Sequence, residues 1–188
     1  MHPSRSQSLP APIERFRSYL NLQARANLHP LVRGKLAASD IVQETLLEAY
    51  RDRGQFRGDT SAQQAVWLRR ILGRNLANAA RDLLRMKRDV GRERSLEPAV
   101  EESCLRVQSW LEAGGNSPSE AVILGEREIE VAARVEALPE AQQEAVVLRY
   151  WQGLPLAEIA RRMERSPAAV AGLLHRGLRQ LRDSLPSE

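Results

Sequence analysis

The sequence predicts an all-α protein: two small helical domains joined by a linker, the C-terminal one a helix-turn-helix. Three observations carry this. Apolar residues recur at spacings of three and four along most of the 188 residues, strand-type alternation is nearly absent, and Ala, Leu, Arg and Glu dominate. A stretch rich in Gly, Pro and Ser, residues 89–118, interrupts the helical pattern and divides the chain. Residues 138–182 then read as short helices broken by a tight turn.

In chain order, residues 1–12 are Pro- and Ser-rich without an apolar core, which predicts a disordered tail rather than a signal peptide or membrane span. Ile13, Phe16, Leu20 and Leu28 begin a helix that stops near His29-Pro30. Ser39-Asp40 opens a second helix running to about Arg51, with acidic side chains in its first turn, where the helix dipole favours them. Arg53 to Ser61 carries two glycines and little periodicity, so it is a loop. A long helix follows from about Ala62 to Met86, with Trp67, Leu68, Ile71, Leu72, Leu76 and Leu83 as its buried stripe. Within 89–118, only Leu105 to Leu111 has the makings of a short helix; from Glu120 the helical pattern resumes.

The last block is the most specific. Ala157 to Met163 is an amphipathic helix, Glu164-Arg165 the turn, and Ser166-Pro167 an N-cap residue followed by proline at the first helical position. Val170, Leu173, Leu174, Leu178 and Leu181 form the apolar seam of the next helix. Ile159, Ala160, Val170 and Leu173 are the positions that must be apolar or small if the two helices are to cross closely. Spacing alone also fits an ordinary helical hairpin.

A net charge of +4 says little, but its distribution says more. Residues 67–94 are basic, residues 97–144 hold eleven glutamates against three arginines, and residues 149–182 are basic again. Two basic blocks flanking an acidic one predict two surfaces that face polyanions. On the long helix, Arg70, Arg74, Asn78, Arg81 and Arg85 share the face opposite the apolar stripe, with Asn75 at its margin. Arginines there would hold phosphates and asparagines would read base edges; the bland alternative is a solvated arginine-rich face.

The single cysteine, Cys104, permits neither an intrachain disulfide nor a metal cluster and fits a reducing cytoplasm, so a cytoplasmic protein is expected. His2, His29 and His175 lie in dissimilar contexts. No Gly-rich phosphate loop, metal-ligand spacing or nucleophile–base pair is present, so no enzyme, metal or cofactor is expected.

Taken together, Asp40-Ile41-Val42-Gln43-Glu44-Thr45-Leu46, Gln55-Phe56-Arg57-Gly58-Asp59 and Trp67-Leu68-Arg69-Arg70-Ile71 with Asn75 resemble region 2 of bacterial extracytoplasmic-function (ECF) sigma factors. Leu138-Pro139-Glu140, Leu148-Arg149-Tyr150, Glu158-Ile159-Ala160 and His175-Arg176-Gly177-Leu178 resemble their region 4. The resemblance implies region 2 over residues 13–88, an acidic flexible linker over 89–118 and region 4 over 119–188. It implies core RNA polymerase and promoter DNA as partners, an anti-sigma protein as a further one, and no membrane insertion.

Residue by residue, Asp40, Gln43, Glu44 and Leu47 would dock on core polymerase. Phe56, Arg57, Gly58 and Asp59, with Arg70, Arg74, Asn75, Asn78 and Arg81, would capture and hold the melting −10 element. Arg162, Arg165, Ser166, Ala168, Ala169, Gly172, His175, Arg176 and Arg179 would face the −35 element.

The chain departs from the family pattern twice. Glu164-Arg165 replaces glycine and an aliphatic residue in the turn, which predicts a distorted or locally helical turn. Ala169, Ala171, Gly172 and Leu173 replace hydrogen-bonding side chains on the recognition helix, which predicts weak base reading there. A helix-turn-helix regulator explains only the second block. A helical polymerase-binding or sequestering protein without promoter specificity remains the reading from a different class.

Overall fold

Every regular element among the residues described in the computed structural model, 9–88, 96–113 and 118–184, is a helix. After a 3-10 turn at Ile13–Phe16, α1 (Arg17–Asn27) buries Tyr19, Leu20, Leu22 and Ala24; its chain becomes extended at Leu28, ahead of Pro30. The single turn α2 (Pro30–Arg33) leads to α3 (Ala38–Arg51), whose Ile41, Val42, Thr45, Leu46 and Ala49 point inward. The long α4 (Ser61–Arg88) starts at Thr60, whose Oγ1 accepts the backbone N–H of Gln63 at 3.2 Å. Leu68, Leu72 and Leu76 of α4 are fully buried against Phe16, Leu20 and Val42, so α1, α3 and α4 share one core.

Two expectations are corrected here. The segment read as a flexible linker contains α5 (Glu97–Ala113), packed along α4. Its buried strip of Ala99, Val100, Ser103 and Val107 has helical spacing; sequence reading gave more weight to the Pro and Gly clusters at either end. Pro98 stands in the first turn, where a missing N–H removes no helical hydrogen bond. The approach to α4 is close: a Cβ on Gly73 would lie 2.7 Å from Leu111 Cδ1. The Arg69 guanidinium sits 4.5 Å over the Trp110 ring and donates to the Trp110 carbonyl. At its other end, Ser103 Oγ accepts the His29 N–H at 2.9 Å, tying α5 to the turn between α1 and α2.

The second correction is to the tail. Ala11 is buried, and Gln64 clamps it with two hydrogen bonds, accepting its N–H at 3.0 Å and donating to its carbonyl at 2.9 Å. Residues 1–8 of the expected tail, and 89–95 and 114–117 of the expected linker, lie outside the described residues.

α6 (Pro118–Glu136) packs on both α1 and α4 through Ile129, Ala132 and Val135, so by packing it joins the N-terminal body. Beneath it, Tyr19 meets Arg69 and Glu128. Burial, reinforced by the Glu128 charge, pushes the Tyr19 hydroxyl up to about 12. Burial also raises Glu128, against the pull of Arg69.

The C-terminal body is α7 (Glu140–Val146), a π-helical turn (Val147–Trp151), α8 (Leu156–Arg162) and α9 (Pro167–Ser184). Its own core is small: Ala145, Leu148, Ile159, Ala160, Val170 and Leu173. Within the N-terminal body, Asn21 donates to Glu136 at the end of α6 at 2.7 Å. Between the two bodies, Arg33 pairs with Glu144 at 3.4 Å, and Gln152 donates to the Ala26 carbonyl at 2.8 Å.

Candidate nucleic-acid interface

Three surfaces carry the residues expected to bind. The first is the outward face of α3. Asp40, Gln43, Glu44 and Leu47 are all exposed, one helical turn after another, opposite buried Ile41, Val42, Thr45 and Leu46. Tyr50 extends this face and was not anticipated, although its spacing of three from Leu47 on an outward face was a usable signal. Leu47 and Tyr50, with the clamped segment Leu9 to Ile13, line an apolar groove of about 740 Å³.

The second surface is the loop before α4 together with the polar face of that helix. A 3-10 turn at Arg53–Gln55 leads into Phe56, which is buried with its ring centroid 5.4 Å from that of Trp67. Phe56 therefore forms a wall of the loop; an aromatic between two loop residues gives no sequence sign of which way it turns. Gly58 fits under that ring because it has no side chain: a Cβ there would lie 2.5 Å from Phe56 Cζ. Gln63 Oε1 accepts the Asp59 N–H at 2.7 Å and completes the capping arrangement begun by Thr60. The loop is thus held in shape, with Arg57 and Asp59 exposed at its tip.

Along α4, Arg70, Arg74, Asn78 and Arg81 are exposed on one side, as expected. Their environments differ. Arg74 pairs with Glu48 of α3, and Arg81 donates to Asn78 Oδ1 at 2.9 Å and to the Ala77 carbonyl at 3.1 Å. Asn75 is half-buried and turned toward α3, donating to Thr45 Oγ1 and Glu48 Oε2. The helix that replaced the expected linker borders the same face. Arg70, Arg74 and Arg81 share a groove of about 610 Å³ with Cys104, Gln108, Leu111 and Glu112 of α5. Burial pushes the Cys104 thiol up, which leaves it protonated and unreactive at neutral pH.

The third surface is α8–α9. Ile159, Ala160, Val170 and Leu173 are buried together, as the crossing of two close helices requires. The turn is not helical. Glu164 takes a left-handed conformation with φ 52°. Its N–H bonds the Arg161 carbonyl at 3.2 Å, and the Arg165 N–H bonds the Ala160 carbonyl at 2.9 Å. That pair of bonds is the Schellman ending usually made by glycine, here held by glutamate against a side-chain clash. Ser166 Oγ accepts the Ala169 N–H at 3.2 Å and caps α9, with Pro167 at its first position.

Arg165, Ser166, Ala168, Ala169, His175, Arg176 and Arg179 are exposed, while Gly172 is half-buried under the Arg176 guanidinium. Arg162 is less open than those exposed residues. It is half-buried, bonded to Glu158 at 3.0 Å and set 3.9 Å from Glu102 of α5. The hydrogen bond from Arg162 holds the Glu158 carboxyl below its usual range, with the charges of Arg161 and Arg162 adding to the effect. Glu102 also lies 3.5 Å from His29, whose imidazole is kept below its ordinary value, first by burial and then by Arg162, Arg106 and Arg33.

Among the described residues there is no group of His, Cys, Asp and Glu fit to hold a metal ion, and no helix long and apolar enough to cross a membrane.

Residues 128–181 match the family model for sigma-70, region 4. The chain is 31% identical over 157 residues to the ECF RNA polymerase sigma factor BldN of Streptomyces coelicolor, a match covering 84% of this chain and 54% of that protein. It is 32% identical over 158 residues to the ECF RNA polymerase sigma factor SigG of Mycobacterium tuberculosis, covering 80% and 42%. The chain thus spans about half the length of the curated relatives it matches.

Proposed function

We propose, from the premise that this chain belongs to the ECF sigma factors, that it binds core RNA polymerase and directs promoter recognition, melting and transcription initiation. One observation carries the proposal. The likeness is not confined to the helix-turn-helix but covers at least 80% of the chain, including α3, the pinned loop and α4. A helix-turn-helix regulator needs none of those elements.

Each surface then has a task. The exposed face of α3, with Asp40, Gln43, Glu44 and Leu47, docks on core polymerase, and its apolar groove with Tyr50 supplies buried area for the contact. A protein antagonist of the anti-sigma kind would compete for this same face. The loop from Phe56 to Asp59 receives a base turned out of the −10 element. Unstacking a base costs a few kcal/mol, so a receptor already held in shape by Gln63, Thr60 and Trp67 loses no further energy to its own ordering. Arg70, Arg74 and Arg81 hold the phosphates of the opened strand, and α9 lies along the −35 element.

Transcription in vitro with core polymerase, followed by start-site mapping, tests this reading. New start sites that need the chain are expected; a repressor or sequestering protein would create none. Gln43→Ala with Glu44→Ala is expected to weaken core binding about tenfold while leaving the melting curve unchanged. Wild-type holoenzyme formation by that variant would show the docking face is elsewhere.

A further inference from the structure

We infer that Glu48 and Thr45 of α3 are positioning residues that fix the amide of Asn75 and thereby set which base the α4 face accepts. The inference rests on the proposed reading of α4 as the helix that holds the opened strand.

Asn75 Nδ2 lies 3.2 Å from Thr45 Oγ1 and 3.1 Å from Glu48 Oε2. A carboxylate offers only acceptors, so turning the amide round would set oxygen against oxygen. The hydroxyl proton of Thr45 is already donated to the Ile41 carbonyl at 2.8 Å, so Thr45 also can only accept from Asn75. The orientation of the amide is therefore dictated by chemistry, which is unusual for an asparagine. Both amide hydrogens are engaged toward α3. The remaining polar atom of Asn75 is Oδ1, an acceptor.

The same carboxylate holds the neighbouring cation: Glu48 Oε1 pairs with Arg74, which is exposed on the strand side. One residue of α3 thus orients both the Asn75 amide and the Arg74 guanidinium, the two groups that the proposed reading turns toward a base and a phosphate.

An acceptor presented alone selects for a donor. Cytosine offers its N4 amino group and adenine its N6 amino group, whereas thymine presents O4 at the corresponding place. At that place thymine would set one acceptor against another, which costs more than a missing bond, and its own donor, N3–H, lies one ring position away. An asparagine free to turn would not discriminate in this way, because it offers donor and acceptor alike. The device therefore depends on Glu48 and Thr45.

The test uses holoenzyme formed from the full chain and core RNA polymerase. Its binding is measured to promoter templates carrying each of the four bases at every position of the melted segment. At one position, cytosine or adenine is expected to be favoured over thymine by about tenfold, the worth of one base contact. Asn75→Ala should abolish that ratio. Glu48→Ala should reduce it to about twofold, Thr45→Val should do so in part, and Glu48→Gln, which keeps an acceptor, should restore most of it. A merely structural tie between α3 and α4 would change affinity for all templates equally and leave the ratio alone.

Retention of the wild-type ratio by Glu48→Ala and Thr45→Val, while Asn75→Ala loses it, would overturn the positioning role. An unchanged ratio in Asn75→Ala would overturn base reading by this residue. A wild-type holoenzyme that opens no promoter would overturn the proposed function itself, an outcome distinct from the other two.

Discussion

The face of α4 and the face of α9 both carry arginines, yet they are built differently. On α4, polar side chains are fastened from below: Asn75 by Thr45 and Glu48, and Arg74 by Glu48. On α9, the outward positions expected to donate hydrogen bonds are Ala168, Ala169 and a Gly172 covered by Arg176. Fixed polar groups discriminate between bases, whereas exposed cations by themselves discriminate only between charged and uncharged surfaces. On the proposed function, sequence reading falls to the N-terminal body and general DNA affinity to the C-terminal one. The large cluster gathers α1, α3, α4, α5 and α6 and takes in Leu138, Val146 and Val147 as well, while the smaller cluster of six buried apolar side chains lies wholly in the C-terminal body.

The largest effect expected from this contrast is on promoter affinity. Arg70→Ala with Arg81→Ala should weaken promoter binding by the holoenzyme at least tenfold and lower the salt slope by about two, near one unit per lost phosphate contact. Arg176→Ala with Arg179→Ala should lower the slope similarly but leave the preferred sequence unchanged. A changed consensus upstream of the melted segment in the second variant would break the assignment, because it would make α9 a reader of bases.

Next in size is a pH effect confined to the N-terminal body. The Tyr19 hydroxyl is raised from 10 to about 12, first by burial and then by Glu128. A raised acid is protonated more readily in the folded state, so its stabilising effect is complete below pH 10 and declines as pH rises toward 12. The loss should reach about 2–3 kcal/mol, at 1.36 kcal/mol for each pKa unit. Denaturant unfolding at pH 9 and pH 11.5 should show this decline in the wild type and less of it in Tyr19→Phe. Equal declines would mean that Tyr19 is not the titrating group.

The smallest effect belongs to the C-terminal body. Glu164 holds a left-handed turn that favours glycine. Glu164→Gly should therefore stabilise the protein by about 1 kcal/mol, offset in part by the flexibility glycine adds to the unfolded chain. A loss of stability would show that the glutamate side chain contributes more than its backbone strain costs. Gly73→Ala should act in the opposite direction, since its Cβ would press on Leu111 and loosen α5 from α4.

Much of this molecule was legible from its residues one at a time. The helical periods of α3, α4 and α9, the Ser166 cap, the apolar crossing of α8 with α9 and the exposed α3 face all follow from local rules. A helix face is set by spacing, and a cap by the residue at one position. The site residues whose surroundings could not be read are those that meet a partner distant in sequence. Phe56 turned inward because Trp67 was there to receive it. Asn75 lost its freedom to Thr45 and Glu48, and Arg162 was drawn toward Glu102.

The acidic segment is the clearest case. Its composition suggested a solvated linker, and a weak apolar strip of Ala99, Val100 and Val107 was not enough to argue otherwise. Only the surface of α4, with Gly73 leaving room for Leu111 and Arg69 offering a cation to Trp110, makes that strip worth burying. Sequence by itself determined which elements form, what their outward faces carry and where the turns fall, because those depend on neighbours a few residues away. Tertiary structure decided which polar groups are held within the fold and which stay exposed, because hydrogen bonds and burial are settled between segments that the chain brings together only on folding.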